Sequence, residues 1–319
     1  MEEDGMAATL GFFALGLLLL ALGGDSAVKG VSGLAQRLGM RPFVAGVLLL
    51  AIATSLPELA VNLRAVWAGQ PHLALGNAMG STIANFGLTL GVAALFAPLL
   101  LRARMLAPML LAVVAAAVVM VGLGLDGTIG HVDGAVLVLA LAVILALLLA
   151  RVGNEPPDVQ TELAGYAATR TGLVLNLLRL AVAVALLYFG ARWVVASGLA
   201  MGQAWGLSPL LAGLLPVAIG TALPEVAAAV AAARRGQGDM VAGHVFGSSL
   251  CNLLLVIGGT ALVQPLALPA SFVRVELPAL LVLAVLAWTM LRDRRLAGAE
   301  GAVLLAAFAG WVVLELLLL

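Results

Sequence analysis

Long apolar runs, each about as long as a bilayer crossing, alternate with short polar connections along this chain. A membrane span needs about 20 mainly apolar residues. Ten stretches qualify, at 7–36, 43–68, 72–97, 105–125, 132–151, 171–203, 209–233, 240–263, 270–291 and 299–318. The longest connection, 152–170, contains Asn154-Glu155-Pro156-Pro157-Asp158 and reads as a linker. It divides the chain into a first unit of five helices, 1–151, and a second, 171–319. The pattern predicts an all-α polytopic membrane protein.

The two units repeat one another at a constant offset of 167 without a gap. Gly23 matches Gly190, Gly46 matches Gly213, Thr54 matches Thr221 and Pro57 matches Pro224. Further along, Gly80 matches Gly247, Ser81 matches Ser248, Asn85 matches Asn252 and Gly91 matches Gly258. Five is an odd number, so the second copy enters the membrane from the opposite side and the repeats are inverted. Inverted repeats with interrupted helices point to a secondary transporter with its site near the midplane.

The polar positions inside the apolar runs are few and matched. Thr54-Ser55-Leu56-Pro57-Glu58 places a carboxylate and a proline within the second segment, and Thr221-Ala222-Leu223-Pro224-Glu225 repeats this in the seventh. A carboxylate at membrane depth costs about 2.5 kcal/mol or more, so it reads as functional and facing protein or water. Proline lacks an amide hydrogen and disfavours helical geometry at the residue before it, so both helices are expected to break there and free main-chain carbonyls. Ser55 and Glu58 also have the spacing of a capping box. Ser81 and Asn85, like Ser248 and Asn252, are four apart and share one helix face. Gly76 with Gly80, and Gly243 with Gly247, have the small-xxx-small spacing that lets backbones approach closely.

Composition agrees with the pattern: of 319 residues, 63% are apolar and 10% charged, against about 25% charged in a soluble domain. Net charge is zero, which gives no electrostatic reason to expect nucleic acid as a partner. The single cysteine, Cys251, excludes an intrachain disulfide or a cysteine metal cluster. The apolar stretch 11–22 is preceded by Glu2-Glu3-Asp4 where a signal peptide would carry positive charge, so it reads as a retained first helix. Arg37, Arg41, Arg102, Arg104, Arg151, Arg170, Arg234, Arg235, Arg292, Arg294 and Arg295 fall on alternate connections, and these are eleven of the sixteen basic residues. The positive-inside rule then places those connections, including the linker, in the cytoplasm and both termini outside it.

Carboxylates, amide oxygens, hydroxyls and freed carbonyls are hard ligands, suited to Ca²⁺, Mg²⁺ or Na⁺. Six to eight flexible oxygens favour Ca²⁺ over Mg²⁺. Two carboxylates neutralise one divalent ion, two sodium ions or two protons, which suggests exchange.

These motifs resemble the alpha-1 and alpha-2 repeats of the Ca²⁺/cation antiporter superfamily, specifically its prokaryotic sodium/calcium exchanger branch. Here the repeats occupy 46–91 and 213–258, and the likeness extends over nearly the whole chain. The resemblance implies ten helices, with the broken second and seventh and the third and eighth forming a core around the ions. The long first and sixth helices would slide across that core. Carried over by position, the ion ligands would be Thr54, Ser55, Glu58, Ser81 and Asn85 with Thr221, Glu225, Ser248 and Asn252, plus main-chain carbonyls near Ala51 and Ala218. Ala53 stands where the family's first motif begins with glycine, Ala222 where a serine ligand is expected, and Asn252 where many relatives have aspartate.

The expected activity is Ca²⁺ exchange for Na⁺, with H⁺ as the alternative counter-ion. Lipid and the transported cations are the only partners expected; no cofactor and no obligate protein partner are implied. An intramembrane protease would need paired aspartates, a serine/histidine pair or a zinc motif, and a channel would not need matched broken helices. Two smaller features also bear on the site. Asp25 and Lys29 have the spacing of an intrahelical pair, and His244 replaces the asparagine of the first repeat, Asn77. Trp67 and Trp205 fall at segment ends, as interface anchors do.

Overall fold

The computed structural model describes residues 2–40, 45–46, 49, 52–151, 155–166 and 171–318. Among them, nine helices are long and apolar enough to cross a membrane. In chain order the elements are α1 (Glu2–Arg37), α2 (Leu56–Trp67), α3 (Pro71–Phe96), β1 (Leu99–Leu100), α4 (Leu106–Leu123), β2 (Thr128–Ile129) and α5 (His131–Arg151). The linker helix α6 (Pro157–Tyr166) follows. The second unit holds α7 (Leu173–Ala204), α8 (Pro209–Arg234), α9 (Gly238–Val263), β3 (Leu266–Ala267), α10 (Phe272–Met290), β4 (Arg295–Leu296) and α11 (Gly298–Leu317). The second expected span, 43–68, is described only in part: a 3₁₀ turn at Ala53–Ser55 leads directly into α2.

Burial sorts these helices by role. α3 and α9 are covered on nearly all sides, whereas α1 and α7 present most of their apolar surface outward, as a lipid-facing helix does. α1 and α7 pack against each other along much of their length. A Cβ at Gly16 would meet the Val194 backbone, and one at Gly30 would meet the Leu180 side chain. Residue numbers rise along α1 as they fall along α7, so the two helices are antiparallel. Their glycines allow this close approach.

Two sequence expectations are corrected here. The seventh segment does not break at Pro224: α8 stays helical from Ala218 through Arg234, and its irregularity is a π turn at Gly213–Val217. That turn contains Pro216, whose missing amide hydrogen and ring disrupt the local ladder. The same deviation occurs in α3 at Asn85–Leu90 and in α9 at Asn252–Val256, beginning at matched asparagines. Secondly, Ser55 stands at the N-cap of α2 without a side-chain cap hydrogen bond, so the capping box is not made. Its hydroxyl instead crosses to α9, 3.2 Å from Ser248 Oγ. The 152–170 connection carries the helix α6.

Two short antiparallel pairings tie the units together: β1 with β4, register Leu99↔Leu296, and β2 with β3, register Ile129↔Leu266. The second register is the first shifted by the repeat offset. Helix contacts obey the same rule. A Cβ at Gly301 would lie 2.6 Å from Gly91 O, and one at Gly134 would lie 2.6 Å from Gly258 O.

The basic connections gather at one end. Arg102 N and Ala103 N donate to Asp239 Oδ1 at 2.6 and 2.8 Å, Arg104 N donates to Glu155 Oε2 at 2.7 Å, and Leu101 N donates to Arg294 O at 2.9 Å. Arg102 also pairs with Asp158 of α6 at 2.5 Å. Connections predicted to share the cytoplasmic face therefore meet physically.

Candidate functional site

A cavity of about 400 Å³ lies between α1, α2, α8 and α9. Thr54, Pro57 and Glu58 line it from the first repeat; Thr221, Pro224, Glu225 and His244 line it from the second. Asp25 and Lys29 of α1 form its other wall and are paired at 2.6 Å. The lining continues along α8 through Ala228 and Ala232 and reaches Met240. The cavity therefore extends toward the end that carries Arg234 and Arg235.

The matched prolines explain how the carboxylates reach this space. Glu58 sits in the first turn of α2, just after the 3₁₀ turn that Pro57 helps to terminate. Glu225 follows Pro224 on α8, where Thr221 Oγ1 donates to Ala218 O at 3.0 Å. Glu58 is 1% exposed, and among the described residues its Oε2 has no hydrogen-bond partner; nor has Glu225 Oε1.

The remaining sequence-predicted side-chain ligands, Ser55, Ser81, Asn85, Ser248 and Asn252, are buried and are not among the residues that line the cavity. Ser81 Oγ of α3 is 3.5 Å from Thr221 Oγ1 of α8, and Ser248 Oγ of α9 is within hydrogen-bond distance of Ser55 Oγ. The hydroxyls of the two repeats thus interleave. Asn85 and Asn252 are fully buried, and among the described residues neither the oxygen nor the nitrogen of either amide has a partner. The Ala218 carbonyl accepts the Thr221 hydroxyl hydrogen bond, and Ala51 lies outside the described residues. Buried polar atoms without partners are costly in an apolar interior. A cation accepting several of these oxygens as ligands removes that cost. Among the described residues no group of three His, Cys, Asp or Glu side chains converges on one point. The polar side chains matched between the repeats are carboxylates, hydroxyls and amides, oxygen donors of the kind hard cations take.

The sequence reading missed several buried polar residues. Asn62, one turn beyond Glu58, is fully buried and accepts a 2.8 Å hydrogen bond from Asn77 Nδ2; its signal was an amide on the Glu58 face of an apolar run. Glu276 and Glu315 are also buried, with Ser271 Oγ donating to Glu276 at 3.1 Å and Trp311 Nε1 to Glu315 at 2.9 Å. Neither acid has a counterpart in the first repeat, so the search for matched pairs passed over them.

A family model described as sodium/calcium exchanger protein matches residues 8–150 and 175–317. The chain is 32% identical over 314 residues to inner membrane protein YrbG of Escherichia coli (strain K12), covering 94% of each chain. It is 28% identical over 287 residues to sodium/calcium exchanger MaX1 of Methanosarcina acetivorans, covering 79% of this chain and 82% of that one. Among solved structures, the sodium-calcium exchanger NCX_Mj soaked with Na⁺ and Sr²⁺ superposes with a TM-score of 0.68 at 28% identity, covering 97% of this chain and 99% of that one.

Proposed function

Since the chain belongs to the sodium/calcium exchanger family, we propose that it is a secondary antiporter that exchanges Ca²⁺ for Na⁺ by alternating access. The observation that carries this reading is the pair Glu58 and Glu225, one from each repeat, facing a single cavity. Thr54, Ser55, Ser81 and Asn85 with Thr221, Ser248 and Asn252 complete the ion ligands, together with the carbonyls of Ala51 and Ala218. H⁺ is the alternative counter-ion, because protonating both glutamates balances loss of Ca²⁺ as well as two Na⁺ do.

The architecture proposed is ten helices in two inverted repeats, 1–151 and 171–319, joined by a cytoplasmic linker at 152–170. Antiparallel α1 and α7, which occupy matched places in the repeats, support the inversion, as do the strand registers offset by 167. The gathering of basic connections at one end supports placing that end in the cytoplasm and both termini outside it, in a cell inner (plasma) membrane. The cavity then faces inward, and sliding of α1 with α7 would close it and open the opposite side.

The test is ⁴⁵Ca²⁺ uptake into proteoliposomes loaded with Na⁺, with K⁺, or with a pH gradient alone. Uptake driven only by an outward Na⁺ gradient is expected. Uptake driven only by the pH gradient assigns H⁺, and uptake without any counter-gradient refutes exchange.

A further inference from the structure

His244 breaks the chemical symmetry of the cavity. At the matched position in the first repeat, Asn77 turns its amide nitrogen to Asn62; the residue matched to Asn62 is Ala229, so His244 has no such amide to meet. Its Nε2 instead lies 3.5 Å from Glu225 Oε1. Among the described residues neither atom has a hydrogen-bond partner, and both residues line the same cavity. A separation of 3.5 Å is long for an N–H···O hydrogen bond. It does fit two ligands on one metal ion: with both bonds near 2.1 Å, as for zinc, the angle at the metal comes to about 110°, close to tetrahedral.

We propose that His244 Nε2 and Glu225 Oε1 form a nitrogen–oxygen subsite for a borderline divalent ion of the Zn²⁺ class. Imidazole is a poor ligand for Ca²⁺ and a good one for zinc. The subsite shares Glu225 with the oxygen-ligand site, so the two ions exclude each other. Since the cavity has room for water, solvent completes the coordination of a metal with two protein donors. The binding part of the inference rests on geometry alone, whereas the expectation that Zn²⁺ competes with Ca²⁺ rests on the exchanger reading above.

Zn²⁺ titration of the purified full chain in Na⁺- and Ca²⁺-free buffer, followed by calorimetry, tests the subsite directly. His244→Asn, which copies the residue of the first repeat, is expected to weaken Zn²⁺ binding by about tenfold or more, since losing a direct ligand costs at least what losing a supporting partner does. His244→Cys is expected to restore binding through a thiolate, and His72→Asn to leave it unchanged. Unaltered affinity in His244→Asn, or no saturable Zn²⁺ binding by the unsubstituted chain, would overturn the proposal. Ca²⁺ uptake with Zn²⁺ on the cavity side, scaled to each variant's own zinc-free rate, then separates the two readings. Zn²⁺ binding lost with His244 in a chain that exchanges no Ca²⁺ leaves the subsite standing and removes the exchanger. Ca²⁺ exchange whose Zn²⁺ inhibition is indifferent to His244 does the reverse.

Discussion

The charge count of the cavity makes the stoichiometry of exchange measurable. Among the described residues that line it, Glu58 and Glu225 are the carboxylates without a basic partner at ion-pair distance when His244 is neutral, because Asp25 is paired with Lys29 at 2.6 Å. Asn252, where many relatives carry aspartate, adds a dipole but no charge, and Ala222 adds no side-chain oxygen at all. One Ca²⁺ or two Na⁺ therefore brings the site to neutrality. A third sodium would leave an uncompensated positive charge at the site, a cost that no further unpaired acid among the described lining residues offsets. The expected cycle is two monovalent ions per Ca²⁺ and moves no net charge. The assay is the equilibrium Ca²⁺ gradient in proteoliposomes at fixed Na⁺ gradient, with and without a valinomycin-imposed K⁺ diffusion potential. A cycle moving one charge would gain or lose about 2.3 kcal/mol per 100 mV, an approximately 50-fold change in the Ca²⁺ ratio; the neutral cycle predicts no change. A shift near 50-fold would refute the charge count. Asn252→Asp is the converse experiment, expected to introduce voltage dependence if the new acid ionises.

Other expectations follow from the same geometry. Glu58→Gln and Glu225→Gln should each reduce Ca²⁺ uptake by about a hundredfold or more while eluting as folded protein, since removing one partner of a buried charge pair costs roughly 3 kcal/mol or more; wild-type uptake by either variant would remove both from the site. Gly301→Ala and Gly134→Ala should destabilise the chain to a similar degree, each by about 1–3 kcal/mol, because each new Cβ would lie 2.6 Å from a carbonyl oxygen at a matched contact; thermal unfolding in detergent checks this, and two unperturbed variants would refute the close packing. Cysteines placed at Ala21 or Val28, on the cavity face of α1, should change in labelling rate between Na⁺ and Ca²⁺ in a Cys251→Ser background, whereas cysteines on α4 should not. Equal insensitivity at all positions would argue against sliding of α1.

Much of this was legible because the determinants are local or repeated. A bilayer-length apolar run specifies a helix wherever it occurs, and nine expected spans appear with ends shifted by only a few residues. Matched motifs located Glu58, Glu225, Thr54 and Thr221 before their proximity was known, since a two-fold relation turns one sequence position into a spatial constraint. What stayed hidden depends on partners distant in sequence. The Ser55 hydroxyl could satisfy its own helix or cross to Ser248, and only the packing of α2 against α9 decides between them. The helical course through Pro224 likewise depends on relief about two turns earlier, where Pro216 lies in a π turn. The strands were invisible because two-residue pairings need no β-rich stretch, only two loops brought to the same place.

Those pairings have a consequence for how such a chain must be made. β1 belongs to the first half and β4 to the second, and the same is true of β2 with β3. Gly91 in turn seats against Gly301, and Gly134 against Gly258. Each half thus lacks a finished interior until the other arrives, so the duplicated segment is a unit of sequence and not of folding. A chain severed within 152–170 should still assemble when both fragments are synthesised together, whereas either fragment alone would carry raw edges into the membrane. During synthesis the first five helices must therefore wait, incompletely packed, until residues near 300 emerge from the ribosome.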